Sequence, residues 1–337
     1  MMELRLLGGI ALAVTAAAAD ADPRDMQSGS LIHEWDYSDQ PYCVVTDQPG
    51  LLQRERPGVT SLWVCAVTVN DGAREGSAGE HVVSVRSTDH GRSWSDPLAL
   101  ETNFSDFDNA YSTIAITPFG RIYVVYNANL GHVHTLRGKN ISRVDELGYF
   151  VMKYSDDAAL TWSTERLLVP YRETAIDQTN SFGGKTRIMW TVDQMKERDG
   201  TVYFAFTKIG SYTQAPPQEG WFMASSNMHT ERDASKVEWT LLPGGEHGPG
   251  PIEQHCAWPS NGTDCVAEEW HIIPLARSSG FFAVFRTSQG VLGASHTADP
   301  AGKSGWMPSY PAQHYYGTSL KNPRGPITLK RFSNGKY

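Results

Sequence analysis

Arg286 lies at the end of an apolar, aromatic-rich run, Gly280–Thr287, that predicts a β-strand. A guanidinium group at the end of such a strand can hold a carboxylate through two parallel hydrogen bonds. The chemistry that this predicts is recognition of an acidic ligand. The alternative is an ordinary surface ion pair between Arg286 and any nearby acid.

A glycine-rich segment between two predicted strands, Asn70–His81, contains the acids Asp71 and Glu75. Loops at the ends of strands often carry catalytic groups, and a carboxyl group there can act as a general acid or base. Asp71 and Glu75 therefore have the residue type that a proton donor needs, and the resemblance described below implies that role for one of them. The alternative is a connecting loop without chemistry.

The N-terminus has the pattern of a secretory signal peptide. An uninterrupted run of apolar and small residues, Leu6–Ala19, is followed by Ala19-Asp20-Ala21, which fits a cleavage site. We predict a signal peptide over residues 1–21, a mature domain over residues 22–337, and a secreted or extracytoplasmic location. The run is shorter than the ~20 apolar residues that a membrane span needs, so no transmembrane segment is predicted.

Four cysteines in an exported chain favour disulfides over metal or redox chemistry. Cys256 and Cys265 flank a short loop and are the pair that we predict. Cys43 and Cys65 lie in successive apolar strands and could bridge neighbours, although the sequence permits three connectivities. The alternative is a zinc site with the ligands Cys256, Cys265, His255 and His271. Their spacing does not match that of structural zinc sites, so we predict no metal and no cofactor.

A repeated motif indicates how the chain is organised. Ser87-Thr88-Asp89-His90-Gly91-Arg92-Ser93-Trp94 matches Ser-x-Asp-x-Gly-x-Ser/Thr-Trp throughout. A second copy, Ser155–Trp162, keeps Ser155, Asp157, Thr161 and Trp162 but has Ala159 in place of glycine. A third, Thr297–Trp306, is stretched by an insertion. Each copy lies between apolar strands, which predicts a turn closed by the aspartate rather than a calcium loop or a catalytic aspartate.

Short runs of β-branched and aromatic residues recur between turn residues, and no long segment has helical periodicity. The fold is therefore predicted to be all-β, with antiparallel meanders repeated as the blades of a propeller. The predicted strands are Tyr42–Thr46, Leu62–Val69, His81–Arg86, Thr113–Thr117, Ile122–Tyr126, Tyr149–Tyr154, Val202–Ile209, Trp221–Ala224, His271–Leu275, Phe281–Arg286 and Ile327–Phe332.

From about Asp39 to Tyr337, the chain resembles the Asp-box sialidase superfamily, also known by its BNR repeats, whose propellers have six blades. The segment Glu268–Leu275 resembles the strand that carries the family's glutamate, which implies that Glu269 pairs with a nucleophilic tyrosine. The strand that ends in Arg286 resembles the one that supplies the second of three substrate-binding arginines. Asn322–Leu329 resembles the segment of the third, which implies Arg324. The glycine-rich loop with Asp71 and Glu75 falls where the family has its acid/base aspartate.

The first arginine of the family has no counterpart in this sequence. Asp39 and Gln40, before Pro41 and Tyr42, occupy the place of its Arg-Ile-Pro motif at the substrate site. The resemblance therefore implies a retaining exo-glycosidase for sialic acid or a related acidic sugar, while the changed motif leaves another acidic or neutral sugar open. Tyrosine suits this chemistry because a carboxylate nucleophile would be repelled by an acidic substrate.

The alternative function is a propeller that binds glycans without cleaving them. Tryptophan side chains commonly contact sugars, but propeller cores also contain them, so their number does not discriminate. The candidates are Trp63, Trp190, Trp221, Trp258 and Trp270.

Composition limits the partners. The 337 residues include 40% hydrophobic and 20% charged side chains, as expected for a globular chain, and the formal net charge is −8. The net negative charge, together with the lack of a basic run, argues against nucleic acid. The predicted partner is a glycan or glycoconjugate; the oligomeric state is not predicted.

The C-terminal residues predict an unfinished sheet. Ile327–Phe332 is a predicted strand, and the turn Ser333–Lys336 after it has only one residue beyond. Strands counted in fours give about four blades up to His296 and the start of a fifth. We predict a propeller that is incomplete at its C-terminus and lacks the blade with the nucleophile, for which Tyr315 and Tyr316 are poor substitutes. The alternatives are a smaller complete propeller and a ring closed by the N-terminal strand.

Overall fold

The computed structural model describes residues 29–71, 74–101, 108–212, 215–253, 266–275, 280–323 and 325–330. The compact unit that contains the sheets is Ile32–Tyr337. The predicted signal peptide, the Cys256–Cys265 pair and Arg324 lie outside the described residues. Among the described residues, no helix has the length and apolar character needed to cross a membrane.

The unit is all-β, with four main antiparallel sheets arranged as four blades of a propeller, as the sequence predicts. Blade 1 contains β1 (Tyr37–Thr46), β2 (Leu62–Asn70), β3 (His81–Ser87) and β4 (Leu98–Ala99), in that order. Blade 2 contains β5 (Asn109–Ile116), β6 (Ile122–Ala128), β9 (Tyr149–Ser155) and β10 (Leu167–Leu168); a small hairpin, β7 (Thr135–Leu136) and β8 (Lys139–Asn140), lies between β6 and β9.

Blades 3 and 4 repeat this meander. Blade 3 contains β11 (Met189–Trp190), β13 (Thr201–Ser211), β14 (Ala215–Ser225) and β15 (Thr240–Leu242), and β12 (Lys196–Arg198) also pairs with β13. Blade 4 contains β16 (Glu268–Pro274), β17 (Phe281–Arg286), β18 (Leu292–Thr297) and β19 (Tyr310–Pro311). The helical elements are short: α1 (Pro49–Leu52), α2 (Ala175–Gln178) and one 3₁₀ turn (Ala234–Lys236).

The hydrophobic core lies between successive blades. Val64 of blade 1 packs in one cluster with Val124 of blade 2, and Phe150 of blade 2 meets Phe204 of blade 3 with ring centroids 5.4 Å apart. Because the central strands are covered on both faces, they are apolar almost without alternation. This explains why strand runs such as Leu62–Asn70 are recognisable in the sequence.

The turn after β3 has the hydrogen bonds expected of the repeated motif. Asp89 accepts from the Ser87 hydroxyl at 2.8 Å and from the Ser93 backbone N–H at 2.9 Å. Gly91 has a φ of +78°, and Trp94 packs against the core of blade 1. The hydrogen bond from the Ser93 hydroxyl and those from the backbone lower the pKa of Asp89.

The second copy closes the turn after β9 in the same way. Asp157 accepts from Ser155 at 2.7 Å and from the Thr161 N–H at 2.9 Å. Ala159 adopts a φ of +60° where the first copy has glycine, and so accepts a conformation that costs an L-residue about 1 kcal/mol or more. Trp162 donates to the Ser84 hydroxyl of blade 1 at 2.8 Å.

Two further turns occupy the same place in blades 3 and 4. After β18, Asp299 accepts from the backbone N–H groups of Ala301, Lys303 and Ser304. After β14, Asn227 accepts from the Glu238 N–H at 2.9 Å. Sequence reasoning missed the Asn227 turn because asparagine replaces aspartate there.

Cys43 and Cys65 form a disulfide between directly opposed residues of β1 and β2, with Cα atoms 4.0 Å apart. The described part of the predicted strand Ile327–Phe332, residues 327–330, does not form a strand. Ile327 and Leu329 instead pack against the apolar side chains of blade 4. That prediction was therefore wrong for the described residues, where hydrophobic packing without ladder pairing explains the apolar pattern.

Candidate active site

Three of the four blades have an irregularity in the first strand. The pairing of β1 shifts between Asp39 and Tyr42, that of β5 between Ala110 and Thr113, and that of β16 between Glu268 and His271. A bulge leaves a residue out of the ladder and turns its side chain away from the strand's normal alternation.

Each bulge contains a non-glycine residue in the left-handed region. Gln40 has a φ of +50°, Tyr111 of +55° and Glu269 of +54°. Such conformations cost energy and concentrate at functional sites. All three side chains line one cavity, so the three strained residues belong to the same site.

The cavity has a volume of about 480 Å³ and receives residues from the first strand of every blade. Charged and aromatic side chains dominate its walls. The lining residues are Tyr37, Ser38, Asp39, Gln40, Glu75, Tyr111, Arg143, Trp190, Glu269, Arg286 and Pro326.

Arg286 holds two acids of the neighbouring strand. It lies opposite Glu268 in the β16–β17 ladder and contacts Glu268 at 2.6 Å and Glu269 at 2.7 Å. Glu268 also accepts from the Gln218 amide at 3.0 Å. The prediction that Arg286 lies at the site is consistent with this position, but both terminal nitrogens already bind carboxylates.

Glu269 is the carboxyl group best suited to proton transfer. Burial raises its pKa to about 7; Arg286 opposes this shift, whereas Glu268 and Asp39 add to it. Its Oε1 accepts from Arg286, and no described group donates to its buried Oε2. Near neutral pH, this carboxyl group therefore exists in both protonation states.

Arg143 also lines the cavity, and the sequence interpretation missed it. Its guanidinium contacts Asp145 at 2.8 Å and Glu75 at 2.8 Å, and donates to the Tyr111 hydroxyl. Tyr111 in turn donates to Asp145 at 2.6 Å. The signal in the sequence is the charged cluster Arg143-Val144-Asp145-Glu146 directly before β9, which no motif singles out.

Further buried acids lie near Arg143 and Asp145. Burial and the nearby Asp145 raise the pKa of Glu80 to about 9, and burial raises that of Glu146 to about 8 against the opposing effect of Arg143. Tyr37 donates to Asp39 at 3.1 Å, and burial raises the pKa of Asp39 despite this hydrogen bond. The site therefore collects several carboxyl groups that hold protons more tightly than exposed acids do.

The structure brings together most of the predicted site residues. Glu75, Glu269, Arg286, Asp39 and Gln40 all line the cavity.

Other predicted residues lie elsewhere. Asp71 is exposed and does not line the cavity. Pro326 lines it, while Arg324 lies outside the described residues. Tyr315 and Tyr316 are 86% and 77% exposed and are not part of it.

Among the tryptophans considered for glycan contact, Trp190 lies in the cavity. Trp221 and Trp270 are fully buried in the core between blades. Trp63 contacts the turn at Gly91, and Trp258 lies outside the described residues.

A second cavity of about 260 Å³ is lined by Tyr42, Lys196, His271 and neighbouring residues. His271 Nδ1 contacts Asp193 Oδ1 at 2.9 Å, and Lys196 contacts the same oxygen. Two backbone N–H groups, of Ala205 and Ile272, donate to the other carboxylate oxygen at 2.9 and 3.2 Å. His271, considered above as a zinc ligand, therefore binds a carboxylate here.

No known family model and no curated protein matches the sequence. Solved structures do resemble the fold. A Hadza microbial sialidase, Hz136, has a TM-score of 0.54 at 14% identity, over 86% of this chain and 48% of its own. The leech intramolecular trans-sialidase has a TM-score of 0.51 at 13% identity, over 86% and 55%. The K499G mutant of NanB sialidase from Streptococcus pneumoniae has 0.50 at 12%, also over 86% and 55%.

These similarities show a sialidase-like β-propeller fold. The chain spans about half the length of these three proteins. Because unrelated functions share folds, the activity has to be argued from the site.

Proposed function

We propose that this chain is a glycoside hydrolase that removes a terminal sugar from glycans bound in the cavity of about 480 Å³. The observation that carries the proposal is Glu269, a buried carboxyl group with a pKa of about 7 and a buried Oε2 to which no described group donates. A carboxyl group with this pKa can protonate a leaving oxygen and later take a proton from water.

Tyr111 supplies a nucleophile. Its hydroxyl donates to Asp145 and accepts from Arg143. Asp145 takes the phenolic proton as Tyr111 attacks the anomeric carbon, and Arg143 stabilises negative charge on the phenolic oxygen. Burial raises the pKa of Tyr111 well above its ordinary value, so the proton leaves only as the new bond forms.

The reaction then has two displacements. In the first, the bond between the Tyr111 oxygen and the anomeric carbon forms, the glycosidic C–O bond breaks, and Glu269 gives its proton to the leaving oxygen. In the second, water attacks the carbon, Glu269 takes a proton from that water, and Tyr111 leaves with the proton held by Asp145. Two displacements retain the anomeric configuration.

This scheme assigns different roles from those that the sequence implied. Glu75, a candidate proton donor, pairs with Arg143 beside Tyr111 and acts as a positioning residue. The specificity for sialic acid predicted from sequence depends on Arg286, which already binds Glu268 and Glu269. That specificity stays a prediction, and a sialoside belongs in the assay.

The test is sugar release from a glycan array and from 4-methylumbelliferyl glycosides. Glu269→Gln should lower kcat/KM about 100-fold, because general acid catalysis is lost. The exposed Glu165→Gln is the matched control and should keep full activity. Proton NMR of the first-formed anomer should show retention.

Binding without sugar release would support the glycan-binding alternative and overturn the proposed function. Full activity of Glu269→Gln would remove Glu269 from the mechanism. Inversion of the anomeric configuration would exclude Tyr111 as a covalent nucleophile.

A further inference from the structure

Acids outnumber arginines among the described residues in and around the cavity. Asp39, Glu75 and Glu269 line it together with two guanidinium groups, Arg143 and Arg286. Two further acids, Glu268 and Asp145, each contact one of these arginines. The charges that a ligand meets are therefore predominantly negative.

Both terminal nitrogens of Arg286 donate to carboxylates of the protein. One binds Glu268 at 2.6 Å and the other Glu269 at 2.7 Å. The Glu268 side chain is fully buried, so its carboxylate cannot exchange this contact for water. A substrate carboxylate would have to displace one of these two partners.

Arg143 is held by carboxylates on one side of its guanidinium. Asp145, whose side chain is 1% exposed, binds both its Nε and one terminal nitrogen, and Glu75 binds that same terminal nitrogen. An anion approaching these two nitrogens would meet both carboxylates at contact distance. Like charges brought together in this way oppose binding.

The acids Asp39 and Glu75, which line the cavity, can accept hydrogen bonds from a ligand that brings donors. An ionised carboxylate can only accept, whereas a sugar hydroxyl can donate.

We propose that this cavity takes a sugar without a carboxylate, because acids surround the two guanidinium groups that a substrate carboxylate would need. The hydroxyl groups of such a sugar can donate to Asp39 and Glu75, which line the cavity. The inference rests on the proposed function for the identity of the site. It adds the substrate class, a neutral glycoside, and two acids, Asp39 and Glu75, that select it.

Matched pairs of ligands test this inference. Glucoside and glucuronide differ only at C6, as do galactoside and galacturonide; an N-acetylneuraminoside is added. Hydrolysis is measured with 4-methylumbelliferyl glycosides, and binding of the free sugars by ligand-observed NMR. The neutral member of a pair should bind and react at least about tenfold better than its carboxylated partner, because like charges meet at short range in the cavity.

Variants of the cavity sharpen the test. Glu75→Gln removes a charge beside Arg143 and should reduce the preference for the neutral member several-fold. Asp39→Asn removes another charge that lines the cavity and should reduce the preference in the same direction. Glu165→Gln, which alters an exposed acid outside the cavity, should leave the ratio unchanged.

The outcomes separate the two proposals. Hydrolysis with the carboxylated member preferred would overturn this inference and leave the hydrolase proposal standing. Binding of neutral sugars without any release would support this inference and overturn the hydrolase. Absence of binding by every neutral sugar in the panel would overturn the inference itself.

Discussion

Glu269 and Asp193 are both buried acids, and their pKa values shift in opposite directions. Glu269 lines the cavity of about 480 Å³, whereas Asp193 contacts Lys196 and His271, which line the cavity of about 260 Å³. The Glu269 side chain is 11% exposed and that of Asp193 is fully buried. Burial raises the pKa of Glu269 to about 7. At Asp193, burial acts in the same direction, but Lys196 and His271 outweigh it and lower the pKa.

The difference lies in the donors around each carboxyl group. Asp193 receives contacts from Lys196, His271 and two backbone N–H groups, which satisfy both oxygens. Glu269 has Arg286 on one oxygen and no described donor on the other. Hydrogen-bond donors, more than burial, therefore decide which acid is structural and which can transfer protons.

The largest expected effect is on stability at Asp193. Asp193→Asn leaves the Lys196 ammonium next to a neutral amide. If the new amide oxygen faces Lys196, the new NH₂ group faces the backbone N–H donors of Ala205 and Ile272. We expect a loss of about 3–5 kcal/mol in the free energy of unfolding, measured by urea denaturation at pH 7. An equal loss of unfolding free energy in Glu269→Gln at the same pH would contradict a structural role that only Asp193 has.

The pH dependence of stability should separate the two acids. The pKa of Glu269 is about 7 in the folded protein against an ordinary 4.5, so its contribution to stability is present below pH 4.5 and lost as pH rises through 7. The contribution of Glu269 to the free energy of unfolding below pH 4.5 is about 3 kcal/mol. Asp193, with a lowered pKa, contributes above its ordinary pKa of 3.8 and loses this contribution at more acidic pH.

Urea denaturation between pH 4 and 8 measures this difference. Glu269→Gln should remove about 3 kcal/mol of the decline that the wild type shows as pH rises toward 7. Glu80 and Glu146, with raised pKa values, contribute declines of the same sign to both proteins, so the difference isolates Glu269. Identical slopes in wild type and variant would contradict the raised pKa.

The smallest effect is on the pH dependence of activity. Arg286 holds down the pKa of Glu269, so Arg286→Met should raise it by about 1 unit. Since the first displacement needs protonated Glu269, kcat/KM should fall above pH 7 in the wild type and above about pH 8 in the variant. A pH–rate profile measures this shift. If kcat/KM falls above the same pH in the variant as in the wild type, the group that titrates there is not Glu269.

Much of the fold is predictable from local sequence. Runs such as Leu62–Val69 and Phe281–Arg286 are strands in the structure, because central strands buried on both faces need β-branched and aromatic residues throughout. Short edge strands such as β10 (Leu167–Leu168) and β19 (Tyr310–Pro311) were missed, since two residues contain no period to detect.

Part of the site was predictable, from the family resemblance and from residue type. The resemblance pointed to Glu269, Arg286, Asp39, Gln40 and Glu75, and Trp190 was a candidate for glycan contact; all six line the cavity. Arg143 and Tyr111 belong to another blade, and no spacing along the chain links them to the motif residues.

The sequence by itself therefore determined an all-β chain, the turns closed by Asp89 and Asp157, and a short set of candidate residues. These depend on contacts within a few residues, where side-chain type and spacing decide the outcome. Only the tertiary structure decided which charges meet. The pairing of Arg286 with Glu268 and Glu269, and of Arg143 with Asp145 and Glu75, depends on bulges and on the packing of separate blades, and the pKa of Glu269 depends on the same packing.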